Sequence, residues 1–231
     1  MTGGLLRELV AAQATGRDVV LATRLPDGAQ ELVGAESSSS RLVPPGDVST
    51  ARAIADALKT GVPRTVETRA GDIFLRPYIR PPRLIIVGAV HIAQALVPMA
   101  AIAGFRVTVL DPREGFATAE RFPGAELVKE WPDEAMDMLG PGRRTGVVAL
   151  THDPKIDDPA LTAALESDAF YIGALGSRKT QEARRERLGA LGFSEESLER
   201  IHGPVGLPIG ARTPEEIAVA VLAQVIGALR M

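Results

Sequence analysis

The chain has 231 residues, 45% of them apolar, 24% charged and only 4% aromatic, with a formal charge of −3, three histidines and no cysteine. That length suits roughly one or two domains with an ordinary apolar core, and the lack of cysteine excludes thiolate nucleophiles, redox CxxC pairs, disulfide frameworks and cysteine-ligated zinc or iron–sulfur centres. With 26 basic residues against 29 acidic ones there is no electrostatic footprint for nucleic acid or an anionic membrane surface.

The first residues, Met1 to Glu8, lack the basic segment and unbroken apolar run of a signal peptide. No apolar run approaches the ~20 residues of a membrane span, so a soluble, cytoplasmic protein is expected. Residues 1–75 read as a small α/β domain. Val19–Thr23 is a predicted strand, and Arg24-Leu25-Pro26-Asp27-Gly28 supplies turn chemistry after it. A polar stretch from Glu36 to Asp47, with a serine run at 37–40 and Pro44-Pro45-Gly46, reads as a loop. A helix follows over 50–60, where Ala51, Ile54, Ala55 and Leu58 recur at helical spacing and Gly61 ends it. Strands are predicted at 64–68 and 72–78, separated by Ala70-Gly71. Residues 76–82, with Arg80-Pro81-Pro82, form the expected linker.

From Arg83 the pattern changes to nearly all-apolar strands alternating with helices, as in a parallel sheet covered on both faces. The predicted strands are 84–87, 106–110, 126–128, 146–150 and 169–172; the predicted helices are 92–103, 132–139, 159–166 and 178–191. Pro98 predicts a kink in the first of these helices. The final helix carries a capping box, Thr213 with Glu216, Pro214 at its first position, and an apolar stripe of Ile217, Val221, Val225 and Leu229. The expected architecture is a Rossmann-like, doubly wound parallel sheet over 83–231, preceded by the small α/β domain.

Gly88-Ala89-Val90-His91-Ile92-Ala93 aligns with the G-x-G-x-x-G/A turn that cradles a pyrophosphate. Gly88 and Ala93 meet two of its demands, whereas Val90 puts a β-branched side chain where backbone should approach the ligand. Asp111 stands 23 residues after Gly88 at a strand end, where such folds place an acid on a ribose, and Arg113 offers a phosphate partner. Asp111-Pro112 is equally ordinary turn chemistry. The fourth strand exits in Thr151-His152-Asp153; in a doubly wound sheet that exit faces the glycine turn, although this His-Asp pair also suits a simple cap. The fifth exits in Gly173-Ala174-Leu175-Gly176-Ser177-Arg178-Lys179, where Ser177 caps a helix whose first amides, with Arg178 and Lys179, can hold an anion. His202 opens a glycine- and proline-rich loop containing Gly206. All three histidines, His91, His152 and His202, therefore fall on loops or strand exits. A metal trio lacks the usual short spacings, and ligand-facing donors or proton-transfer groups fit better.

These motifs, together with Phe116-Ala117-Thr118, Tyr171 to Arg178, Gly203 to Ala211 and Thr213 to Ala218, resemble the XdhC/CoxI family, in order and across residues 83–231. The resemblance implies an accessory chaperone rather than a catalyst. It would bind the molybdenum cofactor, as molybdopterin or its nucleotide form, support its sulfuration with a cysteine-desulfurase-type donor, and deliver it as a homodimer to an apo molybdenum hydroxylase such as xanthine dehydrogenase. The candidate ligand contacts read from the glycine turn and strand exits are Gly88, Val90, His91, Asp111, Arg113, Thr151, His152, Asp153, Gly176, Ser177, Arg178, Lys179, His202 and Gly206, with the 202–212 loop expected to close over the ligand. Two departures stand out: Val90 replaces the family's usual glycine, and the stretch 34–40 has no cysteine where such proteins commonly carry one. The alternatives are an NAD(P)-dependent oxidoreductase and a ligand-free regulatory or scaffold domain on the same fold.

Overall fold

A computed structural model describes residues 2–34, 40–42, 47–69 and 71–230. The segment Pro44-Pro45-Gly46, all of the serine run but Ser40, and Ala70 fall outside the described residues. The chain divides into two compact units, Met1–Arg80 and Pro81–Met231.

The first unit is a four-stranded antiparallel sheet of order β2-β1-β4-β3, built from β1 (Val19–Arg24), β2 (Gln30–Gly34), β3 (Arg64–Val66) and β4 (Ile73–Tyr78). Alternate residues of β1 face opposite helices. Val20 and Ala22 pack with Ile73, Leu75 and the buried Ile54 and Ala57 of α2 (Val48–Thr60), whereas Val19 packs with Leu9 and Ala12 of α1 (Gly3–Ala14). Helix α2 starts where Asp47 accepts from the Thr50 amide at 3.1 Å and stops at the left-handed Gly61. Pro77 lies in a strand that has neighbours on both sides. It is tolerated because β3 pairs only with residues 73–75, leaving that stretch of β4 an edge. Helix α1 and strand β2 escape the hydrophobic pattern. The helix opens on two glycines and exposes Leu6 and Val10, and the strand has only Leu32 and Val33 as large apolar residues.

The second unit is a six-stranded parallel sheet formed by β5 (Arg83–Val87), β6 (Arg106–Leu110), β7 (Glu126–Val128), β8 (Thr145–Ala149), β9 (Tyr171–Ala174) and β10 (Ile201–His202). Its order is β10-β9-β8-β5-β6-β7, the two-halved arrangement of dinucleotide-binding folds. The sheet is apolar on both faces because both are covered. Leu84, Ile86, Val109 and Val148 meet α3 (His91–Ile102) and α8 (Pro214–Arg230). Ile85, Val87, Leu110 and Val147 meet α4 (Pro132–Leu139), α5 (Pro154–Glu166) and Leu188 of α6 (Arg178–Ala190). Each fully buried side chain of this kind contributes ~1.5–3 kcal/mol.

Helix α3 remains helical through Pro98, which is exposed. Helix α5 begins at Pro154 rather than at the expected residue 159, because Asp153 caps it through the Lys155 amide and Pro154 occupies its first turn; Pro159 lies inside it. A short α7 (Glu195–Glu199) and the two-residue β10 were not expected from the sequence. The capping box of α8 forms as predicted: Thr213 accepts from the Glu216 amide at 3.3 Å, and Glu216 accepts from the Thr213 amide at 3.2 Å.

Candidate functional site

The direction of winding reverses between β5 and β8, so a crevice forms outside their carboxyl ends. Gly88 ends β5 with φ +110°, and a Cβ there would lie 2.6 Å from Thr151 Cγ2. Only glycine meets both the backbone and the space requirement, and the glycine turn is thereby brought directly against the β8 exit. Val90 has an extended backbone, φ −94°, which any residue can adopt. Its half-buried side chain packs against the core beneath α3 and α8, and it gives α3 no side-chain cap. The first amides of α3 are therefore uncapped donors at the positive end of a helix dipole. His91, the first residue of that helix, is exposed.

At the β6 exit Asp111 is 0% exposed, and its carboxylate is fully engaged. It accepts from the Ala89 amide at 2.7 Å, from the Arg113 amide at 3.0 Å, and from Arg113 Nε and Nη2 at 2.9 and 2.7 Å. Burial opposes its ionisation, but the Arg113 fork and the two amides outweigh that, and its pKa falls below the usual carboxylate value. Asp111 thus fastens the glycine turn and aims Arg113, whose guanidinium lies 4.2 Å from the Phe116 ring centre.

The β8 exit rests on a charged pair that sequence pattern alone did not single out. Asp157 is 1% exposed and accepts from Thr151 Oγ1 at 2.6 Å and from the Thr151 and His152 amides at 3.3 and 3.1 Å. Arg184, 2% exposed, reaches Asp157 at 3.5 Å, Gln181 Oε1 at 2.6 Å and the Leu175 carbonyl at 3.2 Å. Burial raises the Asp157 pKa, with Thr151 and Arg184 pulling against it. The signal was present as polar residues on apolar helical stripes: Asp157 with Ala160, Leu161 and Ala164, and Arg184 with Gln181 and Leu188. Held this way, His152 takes a left-handed conformation, φ +64°, with its imidazole exposed. Such a backbone costs a non-glycine residue ~1–2 kcal/mol, and strain of this kind concentrates where ligands bind.

The remaining candidates lie along the same edge, farther from the crevice. Ser177 caps α6 by accepting from the Thr180 amide at 3.2 Å, leaving Arg178 and Lys179 exposed beside the turn at Gly176. His202 on β10 stacks on Tyr171, with ring centres 4.8 Å apart, and burial pushes its pKa below 6.5. Three strand spacings separate β10 from β5, ~14 Å at ~4.8 Å each. The loop after His202 is pinned to its own domain. Val205 donates to the Ala174 carbonyl at 3.1 Å, Gly206 to Gln224 Oε1 at 2.8 Å and Leu207 to the Ala220 carbonyl at 3.1 Å. The structure therefore joins Gly88, Thr151, His152 and Asp153 in one cluster and Asp111 with Arg113 beside it, with His91 on the adjoining helix start. It sets His202 and Gly206 on the flank. Among the described residues, no group of three or more His, Cys, Asp or Glu is placed to hold a metal ion, and no helix is long and apolar enough to cross a membrane.

A parallel sheet whose winding reverses at a glycine turn defines a Rossmann-type domain. Residues 84–225 match the XdhC Rossmann domain, and the chain belongs to that family. Among its relatives, a probable xanthine dehydrogenase component of Bacillus subtilis is 32% identical over 179 residues, which is 74% of this chain and 52% of the relative. The molybdenum cofactor insertion chaperone PaoD of Escherichia coli is 33% identical over 165 residues, 69% of this chain and 45% of the relative. An uncharacterized E. coli protein, YqeB, is 33% identical over 159 residues, 68% of this chain and 29% of the relative. This chain thus spans about half or less of the length of these relatives. A solved xanthine dehydrogenase structure from Bacillus halodurans superposes with a TM-score of 0.71 at 25% identity, over 97% of this chain and 63% of the other.

Proposed function

We propose that this protein is an accessory chaperone that binds the molybdenum cofactor as cargo, supports its sulfuration, and passes it to an apo molybdenum hydroxylase of the xanthine dehydrogenase kind. The observation that carries this reading is the constellation at the β5/β8 crevice of an XdhC Rossmann domain: exposed His91 and His152, Arg113 beside them, and the uncapped amides of α3. Polar donors there suit a pterin edge and a terminal phosphate. Arg178 and Lys179 at the start of α6 offer a second anion-binding position on the same edge, and the names of PaoD and the B. subtilis relative fit the role. A homodimer and a cysteine-desulfurase-type sulfur donor complete the proposal. With no cysteine in these 231 residues, sulfur must reach the cofactor from outside this segment.

Purification from a host that makes the cofactor, followed by acid release and oxidation, tests the reading through pterin fluorescence, with NAD(P)H titrated alongside. Near-stoichiometric pterin, lost on substituting His152 or Arg113, is expected. Tight NAD(P)H binding without pterin would replace the chaperone by an oxidoreductase, and neither ligand would leave a scaffold domain.

A further inference from the structure

The loop after β6 carries a group of side chains that the glycine turn and the histidines do not explain. Phe116 is 40% exposed although it is a large aromatic in a chain with few of them. Arg113 lies over its ring at 4.2 Å, and Arg121 lies 5.9 Å from the same ring and 5.3 Å from that of Phe122. Neither guanidinium is loose. Arg113 is held by the buried Asp111 fork, while Arg121 donates to the Phe116 carbonyl at 2.6 Å and to Gln94 Oε1 of α3 at 3.3 Å. Among the described residues, Arg121 pairs with no carboxylate, so its charge is held in place by neutral acceptors. The exposed acids of this loop, Glu114 and Glu120, bond to neither arginine.

A partly exposed aromatic ring beside two held guanidinium groups, one paired with Asp111 and one bonded to neutral acceptors, matches a planar base joined to a phosphate. Bases stack on aromatic faces and on guanidinium planes, and arginine N–H groups take phosphate oxygens; the Nε and Nη2 side of Arg113 is engaged by Asp111, so Arg121 is the main phosphate partner. The position agrees. Asp111 binds Ala89 of the glycine turn and Gln94 belongs to the first turn of α3, so the group adjoins the crevice rather than a remote surface. The Asp111 carboxylate, which this fold would ordinarily offer to a ribose diol, is already occupied. Recognition at this exit must then come from stacking and cations.

We propose that Phe116, Arg113 and Arg121 form a nucleotide subsite that takes a nucleoside 5′-phosphate, with its base on Phe116 and its phosphate on Arg121. Resting on the reading above, this favours a nucleotide form of the cofactor as cargo; a free nucleotide carries the same chemistry. The test is calorimetric titration of the full chain with CMP, AMP, GMP, NADPH, the parent nucleosides and inorganic phosphate, together with base analysis of ligand released from protein made in a cofactor-producing host. At least one nucleotide should bind, its nucleoside and phosphate alone should bind at least tenfold more weakly, and added salt should weaken it. Phe116→Ala should weaken binding about tenfold or more, with Phe116→Tyr retaining it. Arg121→Gln should weaken the phosphate-bearing ligand while leaving the nucleoside unaffected. Phe116 and Arg121 are partly exposed, and unchanged melting curves for these variants confirm that they fold. Released pterin with an equimolar base assigns the source to the cofactor; nucleotide binding without pterin upholds the subsite and refutes the chaperone. Pterin without a base, combined with no nucleotide binding, or binding unchanged in Phe116→Ala, overturns the subsite and leaves the chaperone reading standing.

Discussion

Arg184→Met isolates the buried pair beneath the β8 exit. The substitution keeps an unbranched apolar side chain of similar reach and removes the charge, leaving the Asp157 carboxylate buried without its counter-ion. Breaking such a pair costs ~3–5 kcal/mol. Asp157 keeps three donors, Thr151 Oγ1 and the Thr151 and His152 amides, which places the cost near the lower end, ~3 kcal/mol. For a chain of this size that is a fall of roughly 6–12 °C in Tm. The penalty should depend on pH in a defined direction. Burial already raises the Asp157 pKa above 3.8, and losing the Arg184 charge raises it further. In the variant the folded state therefore takes up the proton before the unfolded state does. The penalty is largest at high pH and shrinks as pH falls through the raised folded value. Urea denaturation at a series of pH values measures this, and amide exchange at Thr151 and His152 should accelerate with it. The double variant Asp157→Leu, Arg184→Met should be more stable than Arg184→Met alone. Equal stability of Arg184→Met and wild type, or a penalty independent of pH, would refute the argument.

Gly88→Ala should cost ~2 kcal/mol or more and disturb the crevice, because the new Cβ meets Thr151 Cγ2 at 2.6 Å with φ at +110°; denaturation midpoints and chemical shifts of Thr151 check it. Asp111→Asn should cost about 2 kcal/mol by unmaking a charge-assisted fork. Since the Asp111 pKa is depressed, its contribution is present above the unfolded value of 3.8 and lost as pH falls through the lower folded value, so the variant should show a flatter acid limb in stability. His202 has the same sign for a different reason: partial desolvation beside Tyr171 lowers its pKa, so its charged form is disfavoured in the folded state and stability falls as pH drops below the unfolded value of 6.5. His202→Phe, which keeps the stack on Tyr171, should flatten that fall below pH 6.5, read by urea midpoints.

The fold was legible where periodicity is strong. Near-continuous apolar strands, the Gly88 turn and the Thr213 capping box each state their structure in adjacent residues. The elements that went unseen, α1, β2, α7 and β10, are held mainly by tertiary partners: Leu9 and Ala12 by β1, β2 by backbone pairing, α7 by its buried Leu198, and Ile201-His202 by the edge of β9. At the site, sequence reasoning found the residues on the exits but not those beneath them. Asp157 and Arg184 are 27 positions apart, and each looks like a solvated helix charge until the other is placed against it. Asp111 was legible as a strand-end acid. Its acceptors, however, are occupied by Ala89 and Arg113, a long-range choice that spacing alone does not reveal.

Those occupied carboxylates decide the character of the whole edge. Asp111 is occupied by Arg113 and the glycine turn, Asp153 by the α5 cap and Asp157 by the β8 exit. Besides the exposed Glu114 and Glu120 of the β6 exit loop, what remains outward is a set of donors: the start of α3 with His91, the exposed His152, Arg121, and the capped start of α6 with Arg178 and Lys179. A chain with a formal charge of −3 therefore presents a set of donors at these exits, and the proposed selection for an anionic, planar ligand would come from where its acids are tied down rather than from its overall balance. The same logic explains how the family's cargo could be held without a thiolate in these residues. In the proposed role, hydrogen-bond donors and helix starts would grip phosphate and pterin edges, and the chemistry of sulfur would fall to a group delivered from elsewhere.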